Sequence, residues 1–177
     1  MRPPPPTMMK PRGVTLVEAV IVLAIIAVLF AVVYPVGRSM VAKSNEAVCL
    51  DLLRAQGVGL QSYLNENNDI MPELAIGRNS KEENVPVLDT VLMSFVGTSE
   101  SFHCPQDKKQ FAKTGCSYSW NHLQNGRRSS DLYFFGVPEK LIPLITDKEA
   151  WHPGGTNYLN ADLSSSNRPR FVTSTSR

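Results

Sequence analysis

Ala19 to Val33 are fifteen consecutive apolar residues, and from Val14 to Val36 the apolar pattern is interrupted only by Thr15, Glu18, Tyr34 and Pro35. Twenty-three helical residues rise about 35 Å, enough to cross a hydrocarbon core of about 30 Å. The competing reading is a helix buried on every side, but a domain this small rarely surrounds a helix so completely. The run therefore predicts a single span of the lipid bilayer over residues 14–36. Beyond it, Val41, Val48, Leu52, Ala55, Gly59 and Tyr63 are separated by steps of seven, four and three, which keeps them on one stripe. That stripe predicts an amphipathic stem over 37–70 whose apolar side faces inward. A helix from Val14 to about Asn65 would measure about 78 Å. Gly57 and Gly59 lower helix propensity by about 1 kcal/mol each, a cost that close packing against a sheet would offset. Asn65 to Asp69 and Pro72 then end the helix.

Residues 71–177 form a patchwork of short periodic segments. Val87, Leu88, Val91, Leu92 and Phe95 recur at helical spacing and predict a short helix over Val85 to Val96. Tyr133 to Phe135, Leu141 to Thr146, Asn157 to Ala161 and Arg170 to Thr173 read as short strands separated by Gly, Pro and Ser clusters. Consecutive strands after a long helix predict an α+β fold, with a small antiparallel sheet packed on the helical stripe. Ser164 to Pro169 reads as a polar loop.

Composition changes the picture in two ways. The chain has 177 residues with 18 Lys plus Arg against 16 Asp plus Glu, and the cations are spread along it, so no nucleic-acid footprint is expected. The exception is the start. Residues 1–13 hold four consecutive prolines and three cations, Arg2, Lys10 and Arg12, with Gly13 directly before the apolar run. This is a leader, and cations on that side place the N-terminus in the cytoplasm and the head outside it. No Ala-x-Ala site follows Val33, so the apolar run is expected to be retained.

Glu18 is out of place inside that run, because a carboxylate in a bilayer costs several kcal/mol unless paired or near the interface. Cutting between Gly13 and Val14 would create an α-amino group at Val14, and Glu18 at i+4 lies on the same helix face. The bland alternative is a carboxylate reaching the headgroups from a simple anchor. Arg12-Gly13-Val14-Thr15-Leu16-Val17-Glu18 followed by the apolar run resembles the class III signal of type IV pilins and type II secretion pseudopilins. The resemblance implies cleavage after Gly13 by a prepilin peptidase, N-methylation of Val14, assembly through Glu18, and a helix kink at Pro35. Val14 departs from the Phe or Met usual there. Cys49-Leu50-Asp51-Leu52-Leu53-Arg54, Phe102-His103-Cys104-Pro105 and Tyr118-Ser119-Trp120-Asn121 resemble the branch carrying the prepilin-type processing-associated H-X9-DG signature. His152 and Asp162 have nine residues between them, although Leu163 stands where the signature has Gly and no His follows.

For the cysteines, Cys104 and Cys116 lie twelve apart in an exported head, where a disulfide is the preferred reading. A zinc set of His103, Cys104, Cys116 and His122 is the rival, and it lacks paired Cys-x2-Cys spacing. Cys49 is left over on the stem as a small apolar residue. His152 and Asp162 are expected to tie a hairpin together through a charge-assisted hydrogen bond. Asp147 and Asp162, with Glu149, are a candidate Ca²⁺ set by analogy with major pseudopilins, without EF-hand spacing. Trp120 and Trp151 read as core or rim packing.

No hydrolase, metalloprotease, phosphate-loop or dinucleotide motif is present, so no enzyme is expected. The function expected from the resemblance is a structural pseudopilin or pilus-like subunit. It would sit in the inner membrane with a periplasmic head, or in an extracellular filament. Its partners would be the prepilin peptidase, other pilin-like subunits in a homo- or hetero-polymer, and an inner-membrane assembly platform. The alternative is a membrane-anchored periplasmic enzyme or ligand-binding protein that uses the helix as a tether.

Overall fold

The structure, a computed structural model, describes Gly13 and residues 15–169. Val14, the leader before Gly13 and the strand expected over Arg170 to Thr173 lie outside the described residues. The chain divides into two compact units, Met1–Met40 and Val41–Arg177, so the stem from Val41 onward and the head belong to one unit.

Helix α1 covers Leu16–Glu66. Thr15 Oγ1 accepts a hydrogen bond from the Glu18 N–H at 3.2 Å, supplying a partner for one of the donors that every helix start leaves open. Among the described residues, α1 is the one helix long and apolar enough to cross a membrane. Its large side chains from Leu16 to Val36 are solvent-exposed. Pro35 lies inside α1 without ending it. The helix stops where Asn68 and Asp69 take left-handed φ values of 56° and 59°, a conformation that Asn and Asp tolerate better than most side chains.

In the second unit, α1 buries Glu46, Cys49, Leu53, Gln56, Gly57, Gly59, Leu60 and Leu64. This stripe is rotated from the expected one: Val41 and Val48 are exposed, and Gly59 alone is fully buried in both. The inward face accepts two polar residues because each finds a distant partner. Gln56 Nε2 donates to the Ser101 carbonyl at 2.8 Å, and Glu46 Oε1 accepts from Asn167 Nδ2 at 3.1 Å. The two stem glycines are sites of close approach. A Cβ on Gly57 would lie 3.1 Å from Leu159 Cδ1, and one on Gly59 would lie 2.4 Å from Val96 Cγ2.

The predicted helix over Val85 to Val96 is two short helices, α2 (Leu88–Val91) and α3 (Met93–Val96), divided at Leu92. Helix α4 (Gln110–Thr114) precedes a four-stranded antiparallel sheet of order β1-β2-β3-β4. The strands are β1 (Tyr118–Trp120), β2 (Pro143–Asp147), β3 (Tyr158–Asn160) and β4 (Ser165–Ser166). The α+β architecture expected from the sequence is the observed one, with the stem half of α1 packed on the sheet. Strand β3 falls within its expected segment, and β2 overlaps its own, starting later and running one residue further to Asp147. Tyr133 to Phe135 is irregular chain instead of a strand, and the polar loop after Ser164 contributes β4. Strand β1 was hidden by its shortness, although Tyr118 and Trp120 point inward on either side of Ser119.

Candidate functional site

The N-terminal features occupy the start of α1. Gly13 is exposed and precedes the helix, and Glu18 is an exposed acidic residue in the first turn. The carboxylate therefore sits where a helix dipole favours negative charge.

The head has a second, buried cluster. Cys49, on the inward face of α1, is bonded to Cys104, which follows the 3-10 turn Ser99–Phe102; the Cα atoms are 5.3 Å apart. The bridge ties stem to head across a sequence separation of 55. This corrects the expected pairing of Cys104 with Cys116, and the reason is the direction of adjacent side chains. Ser117 N–H donates to the Phe102 carbonyl at 2.8 Å, and Cys104 N–H donates to Ser117 Oγ at 3.0 Å, so Ser117 faces Cys104. In extended chain the preceding side chain points the other way. Cys116 accordingly sits with Arg78, Asp89 and Tyr118 on the opposite side. It is a buried free thiol whose pKa burial pushes up to about 12, which leaves it protonated and unreactive. The zinc set of His103, Cys104, Cys116 and His122 does not assemble either. His103 turns away from Cys104 to stack on Phe111 at 4.2 Å, and His122 is exposed at a 3-10 turn.

His152 reaches the disulfide from the turn between β2 and β3. Asp147 and Asn157 close the base of that turn: Asp147 N–H donates to the Asn157 carbonyl at 3.0 Å, and Asn157 N–H donates to Asp147 Oδ2 at 2.8 Å. At the tip, Gly155 N–H donates to the His152 carbonyl at 2.9 Å, with Gly155 at φ 98°. Gly154 lets the turn approach the stem closely, since a Cβ there would lie 2.6 Å from Glu46 Oε1 and the glutamate would have to move. His152 Nε2 thereby comes to rest 3.3 Å from Cys104 Sγ and 3.4 Å from Asp147 Oδ2.

The expected pair of His152 with Asp162 is corrected by this geometry. Asp147 and Asp162 stand at opposite ends of the β2–β3 ladder, since Asp147 adjoins Asn157 while Asp162 N–H donates to the Lys140 carbonyl at 3.1 Å. His152 shares the Asp147 end. Asp162 is exposed, and its Oδ1 accepts from the Ser164 N–H at 2.9 Å. The same separation removes the calcium set of Asp147 and Asp162. Glu149, for its part, is exposed and accepts from Gln110 Nε2 at 2.7 Å and Trp151 Nε1 at 3.2 Å. Trp120 lies in the core and Trp151 on its rim.

Although His152 and Asp147 are within ion-pair distance, each shifts toward its neutral form. Burial raises the Asp147 pKa to about 7 against the Asn157 hydrogen bond, with the nearby Glu46 and Asp107 carboxylates adding to the rise. Burial lowers the His152 pKa, and Glu46 opposes that only in part. The contact is therefore a polar one in a dry site.

Asp107 supports the same corner, although no motif in the sequence marks it. Its Oδ1 accepts from the N–H groups of Lys109 at 2.8 Å and Gln110 at 2.7 Å, and its Oδ2 accepts from Phe111 N–H and Ser117 Oγ, both at 2.7 Å. Burial acts to raise its pKa, but these hydrogen bonds outweigh burial and leave it below the ordinary value. Asp107→Asn should cost about 2 to 4 kcal/mol at neutral pH, through loss of charge-assisted acceptance and a badly matched Ser117 hydroxyl. A depressed pKa contributes stability that is complete above the unfolded value of about 3.9 and is lost as pH falls through the folded one. Urea melts of wild type and variant should thus differ most at neutral pH and converge in acid. A gap that stays constant into strong acid would contradict this assignment.

No curated protein and no solved structure matches the chain. Residues 8–34 match the family described as the prokaryotic N-terminal methylation motif. That stretch covers the cations Lys10 and Arg12, Gly13, Glu18 and the apolar run as far as Tyr34. The chain thus carries at its N-terminus the class III signal of a type IV pilin-like precursor, the kind of signal a prepilin peptidase processes.

Proposed function

We propose that this protein is a structural subunit of a pilin-like filament, either a type II secretion pseudopilus or a type IV pilus-like fibre, and that it has no catalytic activity. The observation that carries the reading is Glu18, a carboxylate in the first turn of α1, at the start of its apolar run and five residues after the processing glycine. Cleavage between Gly13 and Val14 frees an α-amino group. In the filament core that amine neutralises Glu18 of a neighbouring subunit, and the exposed apolar side chains of Leu16 to Val36 pack together. An inner-membrane assembly platform feeds subunits into the fibre. The head projects on the outer side, because Arg2, Lys10 and Arg12 hold the leader in the cytoplasm.

Processing is the direct test. Removing residues 1–13 takes away three cations, leaving 15 Lys plus Arg against 16 Asp plus Glu, a formal charge of −1. Intact-mass spectrometry of the membrane fraction should find the chain beginning at Val14, with or without one methyl group. Cells lacking the prepilin peptidase should retain the full chain. A leader still attached in peptidase-containing cells would instead support a plain membrane tether for a head of another function.

A further inference from the structure

The donors around His152 converge more closely than a disulfide needs. Cys49 Sγ, Cys104 Sγ and one ring nitrogen of His152 all lie within 4.8 Å of one another, and among the described residues this is the one set of three such donors that converges. Asp147 adds a fourth, with Oδ2 at 3.4 Å from His152 Nε2. We propose that when Cys49 and Cys104 are reduced, their thiolates, His152 Nε2 and Asp147 form a buried tetrahedral zinc site, so that disulfide and metal are alternative closures of the same stem-to-head junction.

Three observations support it. The first is distance. With Zn–N near 2.0 Å, Zn–O near 2.1 Å and Zn–S near 2.3 Å, a tetrahedron has N···S edges of about 3.5 Å and N···O edges of about 3.3 Å. The corresponding separations here are 3.3 Å and 3.4 Å. The second is an unmet polar demand. Asp147 Oδ1 is buried without a hydrogen-bond partner, in a side chain that is fully enclosed. A cation held against this carboxylate, whose Oδ2 already faces His152 Nε2, gives the unpartnered oxygen a counter-charge. The third is preorganisation. Asn157 N–H fixes Asp147 Oδ2, the His152–Gly155 turn fixes the His152 backbone, and Ser117 Oγ fixes the Cys104 backbone. The ligands therefore come from four separate parts of the unit, namely α1, the segment after Phe102, the end of β2 and the β2–β3 turn.

The chemistry balances with an external dithiol as reductant. It transfers two electrons and two protons to the Cys49–Cys104 bond, giving two thiols and becoming a disulfide itself. Zinc then displaces one proton from each thiol to solvent, as metal binding by cysteine requires. With two thiolates and the Asp147 carboxylate, the occupied site carries a net charge of −1.

The test uses the full chain in detergent, with Co²⁺ as the spectroscopic probe and Zn²⁺ as its competitor. Chain kept reduced by a phosphine should bind one equivalent of Co²⁺ with tetrahedral d–d bands and thiolate-to-metal charge transfer, both abolished by Zn²⁺. Oxidised chain should show neither, an internal control that needs no substitution. Cys116→Ser should bind like wild type. His152→Asn or Cys49→Ser should weaken binding by more than about a hundredfold, and Asp147→Asn by at least about tenfold, while keeping the wild-type circular dichroism. No Co²⁺ on the reduced chain, equal binding by the oxidised chain, or undiminished affinity in a folded His152→Asn chain would each overturn the proposal.

Discussion

Cys49→Ser should lower the stability of the unit from Val41 onward by about 4 kcal/mol, while Cys116→Ser should leave the covalent constraint intact. The number follows from the loop that the bridge closes. In the chain-entropy account, a cross-link with a sequence separation of 55 removes about 14 cal/mol/K from the unfolded ensemble, or about 4 kcal/mol at room temperature. A bridge between Cys104 and Cys116 would close a much shorter loop and contribute about 3 kcal/mol. In a unit of this size the Cys49 effect corresponds to a fall of roughly 10 to 15 °C in Tm. Thermal melts should therefore show Cys49→Ser, Cys104→Ser and reduced wild type displaced together, provided a chelator is present so that no metal replaces the bridge. Cys116→Ser should stay close to wild type, apart from the small cost of a hydroxyl in an apolar site. A non-reducing peptide map supplies the covalent answer: it should contain one cross-linked species joining the peptides of Cys49 and Cys104. A Cys104–Cys116 species would refute the bridge.

The contrast between these cysteines shows where sequence reasoning stops. Fifteen apolar residues in a row need no tertiary context to be read, because the bilayer imposes length and hydropathy on any spanning helix. The stem was harder. Its inward face holds Glu46 and Gln56, and a hydrophobic pattern cannot count polar residues whose partners, Asn167 and Ser101, lie 121 and 45 positions away. Apolar spacing therefore points to Val41 and Val48, which are exposed. Three cysteines permit three pairings, and nearness in sequence favoured the wrong one because it ignores which way alternate side chains point. The nine-residue spacing from His152 to Asp162 misled for a related reason. It implied a hairpin closing on itself, whereas β3 carries the chain away from His152 to the far end of the ladder. The residue that does meet His152, Asp147, ends β2, and only the sheet register brings it there. What was legible was local: the leader, the apolar run, the end of the stem, and β2 and β3.

Glu18→Gln is expected to abolish filament formation almost as completely as Glu18→Ala, and the pair of variants separates two roles that a single substitution would confuse. Thr15-Leu16-Val17-Glu18 has the spacing of a capping box, and half of that box is visible in the hydrogen bond from Glu18 N–H to Thr15 Oγ1. If Glu18 served only to cap the helix, glutamine would replace it well, since both side chains can accept from the backbone at that position. Charge pairing makes the opposite demand. The Val14 amine of a neighbouring subunit requires a carboxylate, and a neutral amide in the filament core would leave that ammonium without a counter-charge, at a cost of several kcal/mol. Membrane insertion should survive in both variants, because removing a charge from the apolar run only eases its transfer into lipid. So should the head, which begins beyond the span. Sheared-filament yield, measured against the amount of processed subunit in the membrane, should therefore fall by more than about tenfold for both substitutions. Glu18→Asp keeps the charge on a shorter arm and should be intermediate. Filament yield restored by glutamine would assign Glu18 to capping alone, and normal yield from alanine would reduce α1 to a tether.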